Sequence, residues 1–303
     1  MTSGLHSGAT WRAQEWPSLP IQLGTPVHWQ SLTGGIISRT WRVTFAEGGT
    51  AVVKTCAAAP HDLYRIEAKS LEALRLPTGL AVPRVLHVAH DQLVLEDLGP
   101  QPAWDEWPAA PDDHAYWEGY GRGLAHLHAR RVPRFGWHCD TYWGLLRFNN
   151  AWTNDGHAFH ADTRFRVFLT RPRLNTKLEP DDRRRLALVA ERLPELMPIS
   201  PACLLHGDLW AGNRARTPTG QPALIDPFVH YGWAEFELHG TLMYGGFPPR
   251  FFDAYLESNP LEPGWRKRLG VFEILHLCGI LDQIDDEPES LTWLRRLLLR
   301  FVG

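Results

Sequence analysis

The stretch LLHGDLWAGN, residues Leu204 to Asn213, decides the fold. It sets an Asp two residues after a His and an Asn five residues after that Asp, directly behind the apolar run ACLL, which reads as a buried strand. One rigid loop can therefore deliver a carboxylate and a carboxamide to a single place. The pair suits a general base beside a metal ligand. Asp208 can accept a hydrogen bond from an attacking hydroxyl, and the Asn213 amide oxygen is a hard donor for magnesium.

Working outward, Asp226 follows the apolar run PALI thirteen residues after Asn213, and offers a second oxygen ligand to magnesium. The runs ACLLHG and PALIDP are expected to pair as a hairpin carrying charged residues at its ends. Upstream, Lys54 ends the apolar segment AVVK, and Glu67 lies thirteen residues further on, among Leu63, Ile66, Leu71 and Leu74 at helical spacing. A strand lysine held by a helix glutamate can meet the phosphate oxygens of a nucleotide. Gly34 and Gly35, in SLTGGIISRT, would let backbone amides approach a ligand closely. Taken singly, each feature has a structural explanation: a helix cap for Asp208 or Asn213, a turn opener for Asp226-Pro227, hairpin geometry for the glycines. Taken together, Lys, Glu, Asp, Asn and Asp stand along one chain in the order used by kinase-like phosphoryl transfer.

The surrounding patterns divide the chain. WRVTF alternates, EGGT turns, AVVK returns, a helix follows, and VPRVLHVAHDQLVLEDLG supplies two more short strands. The expected organisation is a nucleotide-binding lobe over residues 1–98, a connection over 99–115 containing the Pro-, Asp- and Trp-rich QPAWDEWPAAPDD, and a helical lobe over 116–303. In the last, YWEGYGRGLAHLHAR, DDRRRLALVAERLPELM, RFFDAYLES and RKRLGVFEILHLCGILDQI read as helices.

Composition narrows the function classes. With 303 residues, of which 44% are hydrophobic and 21% charged, the chain can bury one large core or two unequal ones. A net charge of −3 gives no global attraction to nucleic acid or anionic membrane, so phosphate binding must be local and the partner small. Cys56, Cys139, Cys203 and Cys278 are scattered without CxxC or finger spacing, as expected of free thiols in a reducing compartment. The 15 His and 14 Trp are dispersed, so neither type argues for a metal cluster. With neither a leader-like start nor an apolar run of spanning length, the expectation is a soluble cytoplasmic protein.

At this set of residues the chain resembles the fructosamine kinase, or ketosamine-3-kinase, family, within the wider aminoglycoside-phosphotransferase and choline-kinase-like group. HGD followed by Asn and a later ID pair carries the wider likeness. The narrower one rests on Trp210 within HGDLWAGN, IDP at Ile225 to Pro227, GGFP at Gly245 to Pro248 followed by FFDAYLESNPLEPGW, and LTGGIISRTWRVTFAEGGTAVVK. It also rests on Phe135-Gly136 followed by D-x-x-x-G. The resemblance covers roughly residues 17 to 285.

It implies an α+β, protein-kinase-like bilobal fold, with a small antiparallel-sheet N-lobe holding one helix and a larger, mostly helical C-lobe. It also implies ATP- and Mg2+-dependent phosphorylation of a sugar hydroxyl on a free or protein-bound ketosamine. Carried onto this chain, the likeness makes Asp208 the base, Asn213 and Asp226 the metal ligands, and Lys54 with Glu67 the phosphate-positioning pair. Leu95 to Leu98, including Glu96, Asp97 and Leu98, becomes the hinge whose backbone meets adenine. Trp210 becomes a stacking face for the sugar. The chain departs from the family at Ile36, where a Cys is usual, and in HYGWAEFEL, where Trp233 and Ala234 replace an acid and a base while Glu235 keeps the acidic position toward substrate. Phosphorylation of an aminoglycoside, choline or another sugar is the related alternative. A non-catalytic nucleotide-binding or scaffold protein would be expected to lose at least one of Lys54, Asp208, Asn213 and Asp226.

Overall fold

The computed structural model describes residues 16–32, 37–101 and 113–303. The N-terminal lobe contains β1 (Pro26–Leu32), β2 (Arg39–Phe45), β3 (Thr50–Thr55), α1 (Leu63–Leu74), β4 (Val85–Val88) and β5 (Gln92–Glu96). Its strands form one antiparallel sheet in the order β1-β2-β3-β5-β4. The period of two along β3 sorts its side chains. Ala51 and Val53 join Val43, Phe45 and Val94 on one face. Val52 packs with Leu93 and Leu95 on the other face, against Leu63, Tyr64 and Leu71 of α1. Lys54 shares the Val52 face, so it points at α1. Glu67 lies one turn from both Leu63 and Leu71, on the helix face turned toward the sheet. β1 was not expected: PVHWQSL is an edge strand with no buried residue, and therefore lacks the apolar alternation that marks a strand in sequence.

The C-terminal lobe begins with α2 (His114–His128), β6 (Arg131–Val132) and the hairpin β7 (Thr141–Trp143) and β8 (Leu146–Phe148). Then come α3 (Gly156–His160), which runs through a π turn into α4 (Arg166–Leu169), and α5 (Pro172–Lys177), α6 (Pro180–Glu191) and α7 (Leu193–Leu196). After them are β9 (Ala202–Leu205), β10 (Arg214–Arg216), β11 (Pro222–Leu224) and β12 (His230–Gly232). The chain closes with α8 (Ala234–Met243), α9 (Pro249–Ser258), α10 (Trp265–Gln283) and α11 (Pro288–Val302). Among the described residues no helix is long and apolar enough to cross a membrane, and the four cysteines are free.

The expected hairpin between ACLLHG and PALIDP does not form. β11 pairs instead with β10, in the register Arg214↔Leu224, and β9 lies between β12 and β6. The strand between the two apolar runs reads RAR, whose arginines hide it from a hydrophobicity pattern. The short turn after it, with Gly220 at φ +87°, makes it the immediate partner of PAL. Asp226 then takes a left-handed φ of +57°, tolerable for Asp, and the chain reverses so that HYG lies along β9.

α10 is buried on nearly every side, through Leu269, Val271, Phe272, Ile274, Leu275, Leu277, Cys278 and Leu281. Each large side chain so buried is worth roughly 1.5–3 kcal/mol, which sets this helix as the axis of the lobe. A polar side chain on it, such as His276, must find a partner inside. The lobes are tied through main chain, with Ala81 N–H donating to Pro222 O (2.8 Å) and Leu224 N–H donating to Ala81 O (2.9 Å). Tyr142 adds a bond from its hydroxyl to Asp62 Oδ1, at 2.7 Å.

Candidate active site

β9 ends at Leu205 and hands the chain to the loop His206–Asn213. Gly207 sits at φ +88°, and a Cβ there would fall 2.0 Å from Phe228 O, so only glycine allows the two segments this approach. Glu237, on α8 and 1% exposed, accepts the backbone N–H groups of His206 (2.6 Å) and Gly207 (3.1 Å). Burial alone would raise its pKa; His128 and His206 beside it and the Gly207 N–H outweigh that and hold it below the ordinary glutamate value. His206 is itself buried and links two loops. Its Nε2 meets the Ile225 carbonyl at 2.7 Å and therefore carries the hydrogen, leaving Nδ1 to accept the Asp208 N–H at 3.3 Å. The loop carrying Asp208 and the loop carrying Asp226 are thus pinned to one imidazole.

The Asp208 carboxylate accepts from the Asn213 amide at 2.9 Å, and the same nitrogen also donates to the Asp208 carbonyl at 2.8 Å. With its nitrogen so engaged, Asn213 keeps its amide oxygen as the group to offer a cation. Burial is the largest influence on Asp208 and pushes its pKa up to about 7; bonds from the Trp143 indole and Asn213 pull it down, while Asp226 and Glu237 push it further up. A carboxylate poised near neutrality, with donors fixing its orientation, can take a proton from an alcohol.

Opposite this loop, Lys54 Nζ lies 2.6 Å from Glu67 Oε1 and 3.0 Å from Asp226 Oδ1. Burial would lower its pKa, but the Asp226 and Glu67 carboxylates outweigh that and keep it above the usual lysine value. The fixed cation is therefore held between the helix of the small lobe and the loop of the large one. At the end of β5, Glu96 pairs with Arg84 (3.2 Å) and Asp97 takes a two-pronged bond from Arg42 (2.6 and 3.0 Å) plus the Gly99 N–H (2.9 Å). Both carboxylates of the segment expected to be the hinge are thus engaged in the small lobe's own ion pairs.

The structure thus brings Lys54, Glu67, Asp208, Asn213 and Asp226 together, with Trp210 beside them in the same loop. The Trp210 ring lies edge-on to Tyr244, with centroids 5.6 Å apart. Gly34, Gly35 and most of the interlobe connection lie outside the described residues. Glu235 is not brought to the site. Its carboxylate is bound by Arg268 (2.9 Å to Nε), and it lines a separate cavity of about 150 Å³ with His128, Arg131, Cys203 and Asn259. Sequence reading missed Glu237, His206, Trp143 and Tyr244. For Glu237 a signal existed: a lone acid in the apolar stretch FELHGTLM has to be buried, and a buried acid needs donors.

Magnesium and nucleotide can be tested against this donor set. Among the described residues no three His, Cys, Asp or Glu side chains converge as a complete metal cage. The Asp226 carboxylate and the Asn213 amide oxygen are hard donors on neighbouring loops, and a cation held by them must complete its shell elsewhere. That fits Mg2+, which keeps waters or takes phosphate oxygens beside one or two protein ligands.

Comparison with known proteins shows the family and the fold. The sequence profile of the fructosamine kinase family matches residues 21–287. The chain is 33% identical over 255 residues, covering 82% of each sequence, to a protein of Synechocystis described as a probable ketoamine kinase. A presumed fructosamine-3-kinase of Thermobifida fusca superposes with a TM-score of 0.78 at 28% identity, over 91% of this chain and 94% of its own. The choline kinase LicA of Streptococcus pneumoniae shares the fold alone, with a TM-score of 0.62 at 13% identity over 93% and 96%.

Proposed function

This chain belongs to the fructosamine kinase family, and on that premise we propose that it transfers the γ-phosphoryl group of ATP to a sugar hydroxyl of a ketosamine, free or on a protein. It is an ATP-dependent phosphotransferase with an alcohol acceptor. The observation that carries the reading is the Asp208 carboxylate, raised to about 7 chiefly by burial and oriented by Asn213, near an Asp226 that is itself bound to Lys54 of the Lys54–Glu67 pair.

The residues divide the work. Lys54, fixed by Glu67, neutralises phosphate oxygens of the bound nucleotide. Asp226 and Asn213 would hold Mg2+, which when bound offsets charge on the transferring phosphoryl group. Asp208 accepts the hydrogen bond of the acceptor hydroxyl, orients its oxygen toward the phosphorus and takes the proton as the oxygen bonds. His206 and Glu237 fix the main chain beneath it, so Asp208 does not need to be ordered at the moment of reaction. Trp210 supplies an apolar face to the sugar. The domain reading follows the same division, with nucleotide contacts from residues 1–98 and the acceptor side from 116–303. A cytoplasmic location suits the four free cysteines.

The test is ATP consumption across a panel of fructosyl- and ribulosyl-lysine, free sugars, aminoglycosides and choline. Turnover with a ketosamine is expected, and Asp208→Asn should lower kcat by roughly 10²–10⁴-fold while leaving ATP affinity largely intact. Turnover confined to another panel member would replace the ketosamine, and undiminished kcat in Asp208→Asn would overturn the role of the loop.

A further inference from the structure

Tyr244 leaves the end of α8 and is followed by Gly245 and Gly246, both at positive φ. Its phenolic oxygen lies 3.0 Å from His276 Nε2; His276 Nδ1 lies 3.4 Å from His239 Nε2; and His239 Nδ1 is bonded to the Phe236 carbonyl. The direction of every bond in this chain follows from its last member. A carbonyl can only accept, so His239 carries its hydrogen on Nδ1 and its Nε2 accepts. His276 must then donate from Nδ1, which leaves Nε2 as an acceptor, and Tyr244 must donate to it. Both imidazoles are buried, at 5% and 7% exposure, and burial holds each pKa below the usual histidine value, so both stay neutral.

The hydroxyl at the head of this chain stands at the acceptor side of the site. Its ring is edge-on to Trp210 and 39% exposed; burial of the hydroxyl raises its pKa most, and the Asp208 carboxylate is near enough to add to that rise. Trp143, which bonds to Asp208, covers His276 with ring centroids 4.8 Å apart. That cover depends on Gly279, where a Cβ would fall 1.9 Å from the Trp143 ring. Asp208, Trp143, Trp210 and Tyr244 are thus linked neighbours, Trp143 to Asp208, Asp208 to Tyr244 and Tyr244 to Trp210.

We infer that Tyr244 is a positioning residue for the acceptor. Its hydrogen is committed to His276, so its oxygen presents lone pairs only and accepts a hydrogen bond from a donor group on the molecule being phosphorylated. Resting on the ketosamine reading, that donor is the protonated secondary amine, which lies within a few bonds of the sugar hydroxyls. An N–H of a cation is the stronger donor, and the surrounding aromatic faces tolerate a positive charge while offering nothing to an anion. His276 and His239 act through Tyr244 by fixing which way its hydroxyl points.

The experiment is a set of variants assayed with a ketosamine. Tyr244→Phe removes one oxygen from a partly exposed side chain and should raise the KM for the ketosamine on the order of tenfold, with the KM for ATP and kcat within about a factor of two. His276→Leu should produce part of that rise, and His276→Asn, whose amide oxygen can take the Tyr244 bond, should recover most of it. The double variant Tyr244→Phe/His276→Leu should be no worse than Tyr244→Phe alone. Nitrogen NMR of the free protein should find His276 neutral with its hydrogen on Nδ1. An unchanged KM in Tyr244→Phe, additive losses in the double variant, or a charged or Nε2–H His276 would each overturn the inference. If the wild type phosphorylates no ketosamine, the functional reading fails by itself. The KM comparison then passes to the acceptor it does phosphorylate, and the tautomer measurement, needing no acceptor, still decides the hydrogen-bond chain.

Discussion

Lys54 Nζ lies 3.0 Å from Asp226 Oδ1 while also holding Glu67 at 2.6 Å, so one buried cation serves a carboxylate from each lobe. A magnesium ion held by Asp226, as proposed, would share that carboxylate with Lys54. A carboxylate brings a full charge to a hard divalent ion, whereas the Asn213 amide brings a dipole. Asp226→Ala should therefore weaken binding of magnesium with an ATP analogue on the order of tenfold more than Asn213→Ala, a difference of about 1.4 kcal/mol. The fold should persist, because Lys54 keeps Glu67. Calorimetric titration measures both, and equal affinities in the two variants would contradict the assignment.

The loop beneath Asp208 gives a second prediction. Glu237 is the partner of two buried backbone N–H groups, those of His206 and Gly207. Removing it leaves both without an acceptor, at about 1–3 kcal/mol for each buried group. Glu237→Ala should lower the urea midpoint accordingly. Glu237→Gln, which keeps one acceptor oxygen but turns an amide toward donors, should fold and lose kcat while ATP affinity holds. A Gln variant with wild-type kcat would show that the loop keeps its shape without the charge.

Glu237 also marks where the sequence stops being readable. Lys54 and Glu67 could be paired from sequence because a strand's period of two and a helix's period of 3.6 each point them at the same interface. Asp208 and Asn213 were legible because a short loop cannot carry them far apart. Glu235 was assigned from a motif position and Glu237 drew no notice, yet residues two apart on a helix face nearly opposite ways, at about 100° each. The first therefore meets Arg268 and the second meets the loop. Trp143 and Tyr244 reach Asp208 through tertiary packing, from a hairpin and from a helix end, and no local spacing announces that. The β10–β11 pairing was missed for a related reason, since RAR acquires its strand character from its partner rather than from its own apolar residues.

Stability against pH follows from the buried histidines. The pKa of His239 is lowered by burial to about 4, and those of His160, His206, His230 and His276 also fall below the usual value. Between pH 6.5 and 4 the unfolded chain binds protons that the folded one refuses, so stability present above pH 6.5 is lost on acidification, with His239 alone contributing roughly 3 kcal/mol of that loss. Asp208 acts in the opposite sense. Its folded pKa, about 7, lies above its unfolded value of 3.8, so the folded state gains stability as pH falls through that window. The metal- and nucleotide-free protein should therefore weaken from pH 7 to 4.5, and Asp208→Asn, which deletes the opposing group, should weaken more steeply. Urea midpoints at a series of pH values decide it; parallel profiles for the two proteins would refute the balance.

Trp210 poses the question of whether an aromatic beside a catalytic carboxylate binds sugar or simply packs. Its ring lies over Gly212, where a Cβ would come within 2.4 Å of it, and edge-on to Tyr244. If it is a stacking face, Trp210→Ala should raise the KM for a ketosamine by an amount equivalent to about 1–3 kcal/mol, the range known for aromatic stacking on nucleobases, with little change in the KM for ATP. Phenylalanine keeps a π face and should recover part of the loss. Gly212→Ala leaves the indole intact but displaces it, so it should reproduce a rise in acceptor KM without removing any aromatic surface. A purely packing role gives a different pattern: Trp210→Ala would lower the melting temperature and weaken ATP and acceptor alike, and Gly212→Ala would destabilise without separating the two KM values. The split between acceptor and nucleotide, measured in both variants, therefore decides which role the ring has.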